Sequence, residues 1–597
     1  MRRLRGRAIG ALVVSAGLLA TAACGSSSKS STTTGAGATS SPQSQGNLAK
    51  GGVLKIVSQG DVGNLDTSQA YEVVAWTLDR AFTRQLVSYA GSPESLGKDT
   101  EAKPDLAEKV DTSPDGLTYT FTLRDGVHYT GPTQRAITSK DFTYAIKPLC
   151  DPNGASGGIN YFTATIKGLT TFCDGFAKIK TGDPTAVKTY IDGNQVSGLA
   201  TPDDKTLVFS LNQKAGDFLN ILALPFATPQ PEEVISPYLT DSKDYRAHAV
   251  SSGPYTLTSY VADKSFDFKR VPDFDPAKDP LRKAYVDEIQ VNETVGDDAT
   301  EFEQIQAGTA DLSLDVTAPP LPVVQKLKIT NDPTLRLSPE GRNDYLVFNL
   351  RKTVTSPCGM ALAKPAVRQA FAYAVNKTSA VQILGGSISA KPTGQLLTST
   401  ITGFKPADLY NTPGSKGDPV KAKAMLAAAG YPNGLTCTYL YRDKSKGSDL
   451  AAANQQDLKA SGITLKLNKV PNADFYSKHL QDPAVNDWDL AFPGWSPDWQ
   501  GNAGRSFFAP LVQTNCTKGT SNYGCYTNPT LDKTLTDALA SNDPSGAYAT
   551  IDDLVSKDEP LVPMVERSAV TISSARLKGF RWFNFADNAD IANVSVN

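Results

Sequence analysis

The stretch Lys103-Pro104-Asp105-Leu106-Ala107-Glu108-Lys109-Val110-Asp111-Thr112-Ser113-Pro114-Asp115-Gly116-Leu117-Thr118-Tyr119-Thr120-Phe121-Thr122-Leu123-Arg124-Asp125-Gly126-Val127 decides the fold. Ser113-Pro114-Asp115-Gly116 has proline and glycine where a tight turn uses them. After it, Leu117, Tyr119, Phe121 and Leu123 alternate with Thr118, Thr120 and Thr122. A period of two sends the apolar side chains to one face, which predicts a half-buried strand. Working outward, residues 51–57 read as an opening strand that Gly63-Asn64-Leu65-Asp66 breaks, and residues 206–211 and 255–260 read as strands too. Further on the period changes. Pro365 suits a first helical turn, and Val367, Ala370, Phe371 and Ala374 mark one apolar helical face. Asp418-Pro419 reads as a cap and first turn, Gly430 as the end, and Pro432 as a bar to continuation. Strand-like residues 463–467 follow. Alternating strands and helices over residues 336–500 predict an α/β lobe, and the strand-rich first half predicts a second, unequal lobe.

Composition excludes several classes. The 597 residues carry 59 Lys+Arg against 61 Asp+Glu, a formal charge of −2. Phosphate binding needs a basic excess, so nucleic acid is not the expected partner. Three histidines, with no Cys/His metal spacing, argue against a zinc or haem protein. No apolar run reaches the ~20 residues of a membrane span.

Residues 1–23 read as an export signal. Arg2, Arg3, Arg5 and Arg7 form a basic region, and residues 8–20 an apolar core too short to span. Small residues then lead into Cys24, as in the bacterial lipobox, where the cysteine is lipidated and becomes the mature N-terminus. Thr21 stands where that pattern has leucine. Residues 25–45 are almost entirely Ser, Thr, Gly and Ala, which suits a flexible tether. Removing residues 1–23 takes four arginines and leaves a net charge of −6. Besides Cys24 there are Cys150, Cys173, Cys358, Cys437, Cys516 and Cys525. An even set in an exported chain reads as disulfides, with many pairings open. Short loops favour Cys150–Cys173 and Cys516–Cys525 and leave Cys358–Cys437; free thiols are the alternative.

Several blocks together resemble the extracytoplasmic solute-binding proteins of ABC importers, in particular the oligopeptide/dipeptide-binding family (family 5). The opening stretch matches that family's most recognisable block. Thr138-Ser139-Lys140-Asp141-Phe142 fills a later place, keeping its Thr and Asp. Ser252-Gly253-Pro254-Tyr255 matches a G-P-Y element. Tyr345-Leu346-Val347-Phe348-Asn349, Val367-Arg368-Gln369-Ala370 and Ala374-Val375-Asn376-Lys377 match the start of the second lobe, and residues 422–432 match its "A-K-x-L-L-x-x-A-G-Y" helix. The resemblance runs from about residue 51 to the C-terminal end. It implies an α/β, two-lobed periplasmic-binding-protein-like fold of class II type, with an additional domain in the first lobe and a hinge between lobes. The implied division is 1–23 signal peptide, 24–49 lipidated Cys24 and tether, 50–92 with 248–335 and 560–597 domain I, 93–247 domain II and 336–559 domain III.

The resemblance also nominates ligand contacts. In peptide-binding members a Trp and an Asp spaced as in Gly494-Trp495-Ser496-Pro497-Asp498-Trp499 line the cleft, and the Asp meets the peptide's α-ammonium. Such a charge-assisted hydrogen bond contributes about 1.5–3 kcal/mol. Trp495 and Trp499 would supply flat apolar walls; the alternative is that Asp498 caps a helix or loop and the tryptophans are core. Arg442 stands near an arginine that grips the ligand carboxylate in dipeptide-type members, a task a guanidinium fork suits; its alternative is a salt bridge to Asp443 or another neighbour. Asn64 lies in the loop after the first strand, where the family often places backbone contacts. Tyr345 and Asn349 are expected in the hinge or core. Gly154-Ala155-Ser156-Gly157-Gly158 formally matches G-x-S-x-G but lacks the strand and helix a nucleophile elbow needs, and reads as a loop. His128, His248 and His479 cannot be assigned as a base without a nucleophile in reach. The expectation is therefore not an enzyme but a monomeric, lipid-anchored receptor on the outer face of the cell membrane. It needs no cofactor or metal, and hands peptides to ABC permease subunits. Three other readings stay open: a non-peptide solute such as a metal chelate or oligosaccharide, a signalling or adhesion lipoprotein without a transport partner, and a hydrolase, which would turn its ligand over.

Overall fold

The computed structural model describes residues 48–597 apart from 63, 94–98, 132, 153–155, 180–181, 240–243, 316–318, 444–445, 473, 542 and 584–587. The signal, Cys24 and most of the tether lie outside the described residues, as do Gly154 and Ala155 of the G-x-S-x-G match.

Three sheets organise the chain. The first has the order Leu312–Ser313, Val53–Val57, Glu288–Asn292, Ser265–Arg270, Tyr255–Val261. Its opening strand is the one expected over 51–57 and runs parallel to both neighbours. The G-P-Y element begins its edge strand. A Cβ at Gly253 would stand 2.9 Å from the carbonyl oxygen of Ala81, so glycine lets this strand press on the helix Val73–Phe82.

The second sheet is antiparallel, in the order Ala107–Thr112, Thr118–Leu123, Thr206–Ser210, Leu199–Asp203. The opening stretch of sequence is its first hairpin. Gly116 takes φ +70°, where glycine is favoured, and its N–H donates to the Ser113 carbonyl at 2.8 Å. Phe121 and Leu123 are buried as the alternation requires. The retained Thr138 and Asp141 form a capping box, with Asp141 Oδ2 accepting from the Thr138 N–H at 2.8 Å.

The third sheet is mixed, in the order Ala390–Pro392, Leu561–Ile572, Leu335–Phe348, Leu490–Ala491, Leu435–Asp443, Ile463–Pro471, with Gly494–Trp495 added against Leu335–Phe348. Helices Pro365–Ala374 and Pro419–Ala428 cover it. The first buries Val367, Ala370, Phe371 and Ala374, and the Asp418 side chain caps the second through the Lys421 N–H. Leu335–Phe348 and Leu561–Ile572 pair with each other and pass between two cores. Leu335, Val570 and Ile572 pack with Val57, Val295 and Ile305, whereas Leu346, Phe348, Val562 and Met564 belong to the core of the third sheet. The pairing shifts register between Pro339 and Asn343 and again between Asp344 and Tyr345. These irregular middles join the two lobes.

The cysteines pair as Cys150–Cys173, Cys358–Cys437 and Cys516–Cys525. Among the described residues no helix is long and apolar enough to cross a membrane.

Candidate functional site

The site grows from one edge of the third sheet. Leu435–Asp443 runs parallel to Leu490–Ala491 and to Ile463–Pro471, so the carboxyl ends of these strands share an edge. Open α/β sheets bind ligands outside such ends. Arg442 ends one strand, and the chain leaving Leu490–Ala491 continues into Gly494–Trp495 and Asp498.

Asp498 is 5% exposed. Its Oδ2 accepts from the Tyr71 hydroxyl at 2.7 Å and the Tyr161 hydroxyl at 2.5 Å. Tyr71 precedes the helix Val73–Phe82 and Tyr161 lies in Ile159–Thr163, so residues from the first-lobe sequence close over a carboxylate from the third sheet. Burial raises the Asp498 carboxyl to about 7, with the Tyr161 and Tyr71 hydrogen bonds pulling the other way. Among the described residues no cation pairs with it.

Aromatic rings frame the carboxylate. Tyr71 meets Trp495 edge-on with centroids 6.1 Å apart and lies 5.4 Å from Phe226, and Tyr161 meets Trp499 at 5.3 Å. Each indole N–H is satisfied by backbone: Trp495 donates to the Ser506 carbonyl and Trp499 to that of Asn502, both at 2.8 Å. Trp499 is fully buried and Trp495 is 9% exposed. The tryptophans thus combine core packing with nearness to Asp498. Gly157 and Gly158 serve the same cluster. A Cβ at Gly157 would stand 2.0 Å from the Tyr71 ring, and one at Gly158 2.3 Å from Phe226. The pair is a bed for aromatic rings.

Arg442 lies over Phe475 and Tyr476, its guanidinium carbon 5.1 and 5.2 Å from the ring centroids. The alternative partner Asp443 pairs with Lys469 instead, at 2.9 Å. Tyr476 neighbours Tyr523, which the Cys516–Cys525 loop carries. Tyr345 is buried as expected, with no partner for its hydroxyl among the described residues. Asn349 is core, donating to the Trp488 carbonyl at 3.0 Å. Asn64 accepts from the Asp66 N–H at 2.8 Å, an Asx turn within its own loop.

More cations gather where the strands cross. Asp344 is held by Arg342 at 2.7 Å and Arg567 at 3.0 Å. Burial and the neighbouring Arg567 hold the Lys446 ammonium below its ordinary range, with Asp298 opposing.

The histidines all have other company. His128 faces Asp273 at 3.4 Å, His248 stacks on Tyr238 at 5.0 Å, and His479 pairs with Asp487 at 2.8 Å. Sequence reading singled out Asp498, Trp495, Trp499, Arg442 and Asn64 but missed Tyr71, Tyr161 and Lys446. The glycine pair at 157–158 was the one local sign of the tyrosine cluster.

The chain resembles proteins already known. Residues 101–515 match the family model of the bacterial extracellular solute-binding proteins, family 5, middle region. The glutathione-binding protein GsiB of Shigella flexneri is 26% identical over 529 residues, covering 86% of this chain and 89% of that protein. Its counterpart in Salmonella typhi is 26% identical over 547 residues, covering 88% and 92%. Among solved structures, the clavulanic acid biosynthesis oligopeptide binding protein 2 matches with a TM-score of 0.77 at 24% identity, covering 92% of this chain and 96% of that one. DppA from Helicobacter pylori, solved with the peptide STSA, matches with a TM-score of 0.73 at 22% identity, covering 92% and 98%. At these identities the structural likeness bears on the fold, which is the two-lobed one expected.

Proposed function

Because the chain belongs to the bacterial extracellular solute-binding proteins of family 5, we propose that it captures short peptides for an ABC importer. Asp498 carries this reading: a buried carboxylate held by two phenols and by no cation among the described residues. A ligand ammonium would supply the missing charge. The faces of Trp495 and Trp499 would wall the ligand, Arg442 would take its carboxylate, and Asn64 would hold the loop that approaches its backbone. The aromatic support of Arg442 leaves its fork free of a carboxylate partner among the described residues.

A second reading has one observation behind it. Arg342 and Arg567 share Asp344, while Arg442 and Lys446 have no ion-paired carboxylate among the described residues. This favours a ligand with more than one carboxylate, and the similar proteins named above bind glutathione.

The remaining parts of the reading follow the sequence. Cys24 carries the lipid after removal of residues 1–23, residues 24–49 tether the receptor to the outer face of the membrane, and a monomer delivers its ligand to permease subunits. We propose domain I as 50–92 with 248–335 and 560–597, domain II as 93–247 and domain III as 336–559, with Leu561–Ile572 as one of the two crossing strands.

Native mass spectrometry of the chain from Gly25 onward, followed by denaturation, identifies what the cleft carries. Released peptides or glutathione support the proposal; a sugar, lipid or metal chelate overturns it. Asp498→Ala is expected to weaken free-amine peptides far more than their N-acetylated forms, and equal losses would remove ammonium recognition.

A further inference from the structure

Arg505 stands in the first turn of the helix Gly504–Leu511, within the proposed domain III, and is 1% exposed. Its guanidinium reaches into the domain of the second sheet. Nη1 meets Asp217 Oδ1 at 3.2 Å, and Nη2 donates to the Tyr161 carbonyl and to Thr165 Oγ1, both at 3.0 Å. The guanidinium also lies 5.6 Å from the Tyr161 ring. Both side chains of the ion pair are 2% exposed. Beside it the Gly216 N–H donates to the Leu539 carbonyl at 3.3 Å, so the segment carrying Asp217 docks on the same domain through backbone as well. Tyr161 is therefore gripped at both ends. Arg505 holds its carbonyl and ring, and Asp498 takes its hydroxyl.

We propose that Arg505 and Asp217 form a clasp between the second and third domains that positions Tyr161 on Asp498 and holds the two domains together through protein contacts alone. The part concerning ligand rests on the receptor reading above; the part concerning the domains does not.

The energetics give the clasp a distinctive sign. Taking two charges out of water roughly cancels their attraction, so an intact buried pair contributes little net stability. Removing one partner strands the other charge wherever the domains stay joined. Asp217 is exposed to this, because its Oδ2 already lacks a partner among the described residues. Removing both partners strands no charge but leaves the Tyr161 carbonyl and Thr165 Oγ1 without their Arg505 donor. The double variant loses the clasp itself, so it should stay open like the single variants, with a loss short of their sum.

The test uses Asp217→Asn, Arg505→Met and the double variant in the full chain. Small-angle scattering follows domain separation, and calorimetry follows binding of two probes, tetra-alanine with a free amine and glutathione. Far-ultraviolet circular dichroism confirms folding; should Arg505→Met not fold, Asp217→Asn and the double variant carry the comparison. The single variants and the double variant are all expected to expand the molecule and to weaken whichever probe binds by at least tenfold, the double variant by less than the product of the two single losses. Unchanged dimensions in Asp217→Asn, or a double variant as compact as the wild type, would overturn the clasp. If wild type binds neither probe, the proposed ligand classes fail, while scattering alone decides the clasp by the same two criteria.

Discussion

At Asp498, burial and hydrogen bonding pull in opposite directions, and burial wins. Its carboxyl rises from 3.8 to about 7. The folded chain thus keeps a proton that the unfolded chain releases between those values. The resulting stabilisation is fully present below about pH 4 and is lost as pH rises through about 7. Binding inverts the preference, because an ammonium needs the ionised form. Affinity for a free-amine ligand is expected to rise roughly tenfold per pH unit up to the Asp498 value and then level off, with a proton released on binding below it. Titration calorimetry in buffers of different ionisation heat counts that proton. Asp498→Asn should abolish the slope, and a wild-type affinity independent of pH would take Asp498 out of the ligand's reach. The Asp498 segment was legible because its Trp and Asp stand at the spacing of the segment it resembles in peptide-binding relatives. Its partners were not: Tyr71 and Tyr161 lie 427 and 337 positions away and carry no mark in their own neighbourhoods beyond Gly157-Gly158.

Elements whose reasons are local were readable. Pro365–Ala374 follows its apolar face, Pro419–Ala428 its Asp418 cap, and the hairpin around Gly116 its turn residues. The crossing strands were not readable in full, since Leu335–Phe348 contains Pro339, Gly341 and two register shifts, features that argue against a strand. What holds this irregular stretch is Asp344 between Arg342 and Arg567. Burial alone would raise the Asp344 carboxyl, but the two guanidinium groups outweigh it and hold it below its ordinary value. Asp344→Asn leaves two partly exposed arginines without their shared acceptor, so the expected loss is about 2–3 kcal/mol. Urea unfolding measures it. The wild-type advantage should be present above about pH 4 and lost as pH falls through the depressed value. An advantage unchanged at lower pH would mean that the ion pairs are not its source.

Across the whole molecule, the chain's end secures its beginning. Asp590 receives Arg80 through two bonds, Nε to Oδ1 at 3.0 Å and Nη2 to Oδ2 at 2.9 Å, with both side chains almost fully buried. The nearby strand Ser595–Val596 pairs with Leu577–Lys578, and the Ala284 N–H donates to the Ala592 carbonyl at 2.9 Å. Asp590→Asn strands the Arg80 guanidinium in the first domain and should cost about 3–5 kcal/mol. Denaturant unfolding with the three disulfides intact measures that cost, and a loss under ~1 kcal/mol would make the tail a surface cover and not a structural tie.

By itself the sequence determined the strands and helices with local reasons and, through loop length and elimination, the cysteine pairs, while the two-lobed fold came through its resemblance to the family-5 binding proteins. The elements and pairs depend on residues close in the chain or on counting, and the fold on blocks matched in order to a known family. Tertiary structure alone decided that Trp495 and Trp499 are both core and cleft neighbours, and that Arg442 rests on Phe475 and Tyr476 while Asp443 goes to Lys469. It alone brought Tyr71 and Tyr161 to Asp498 and set Arg505 between Tyr161 and Asp217. The physical reason is that a buried charge is satisfied by whatever folding brings within about 3 Å of it, and that choice is made across domains rather than along the chain.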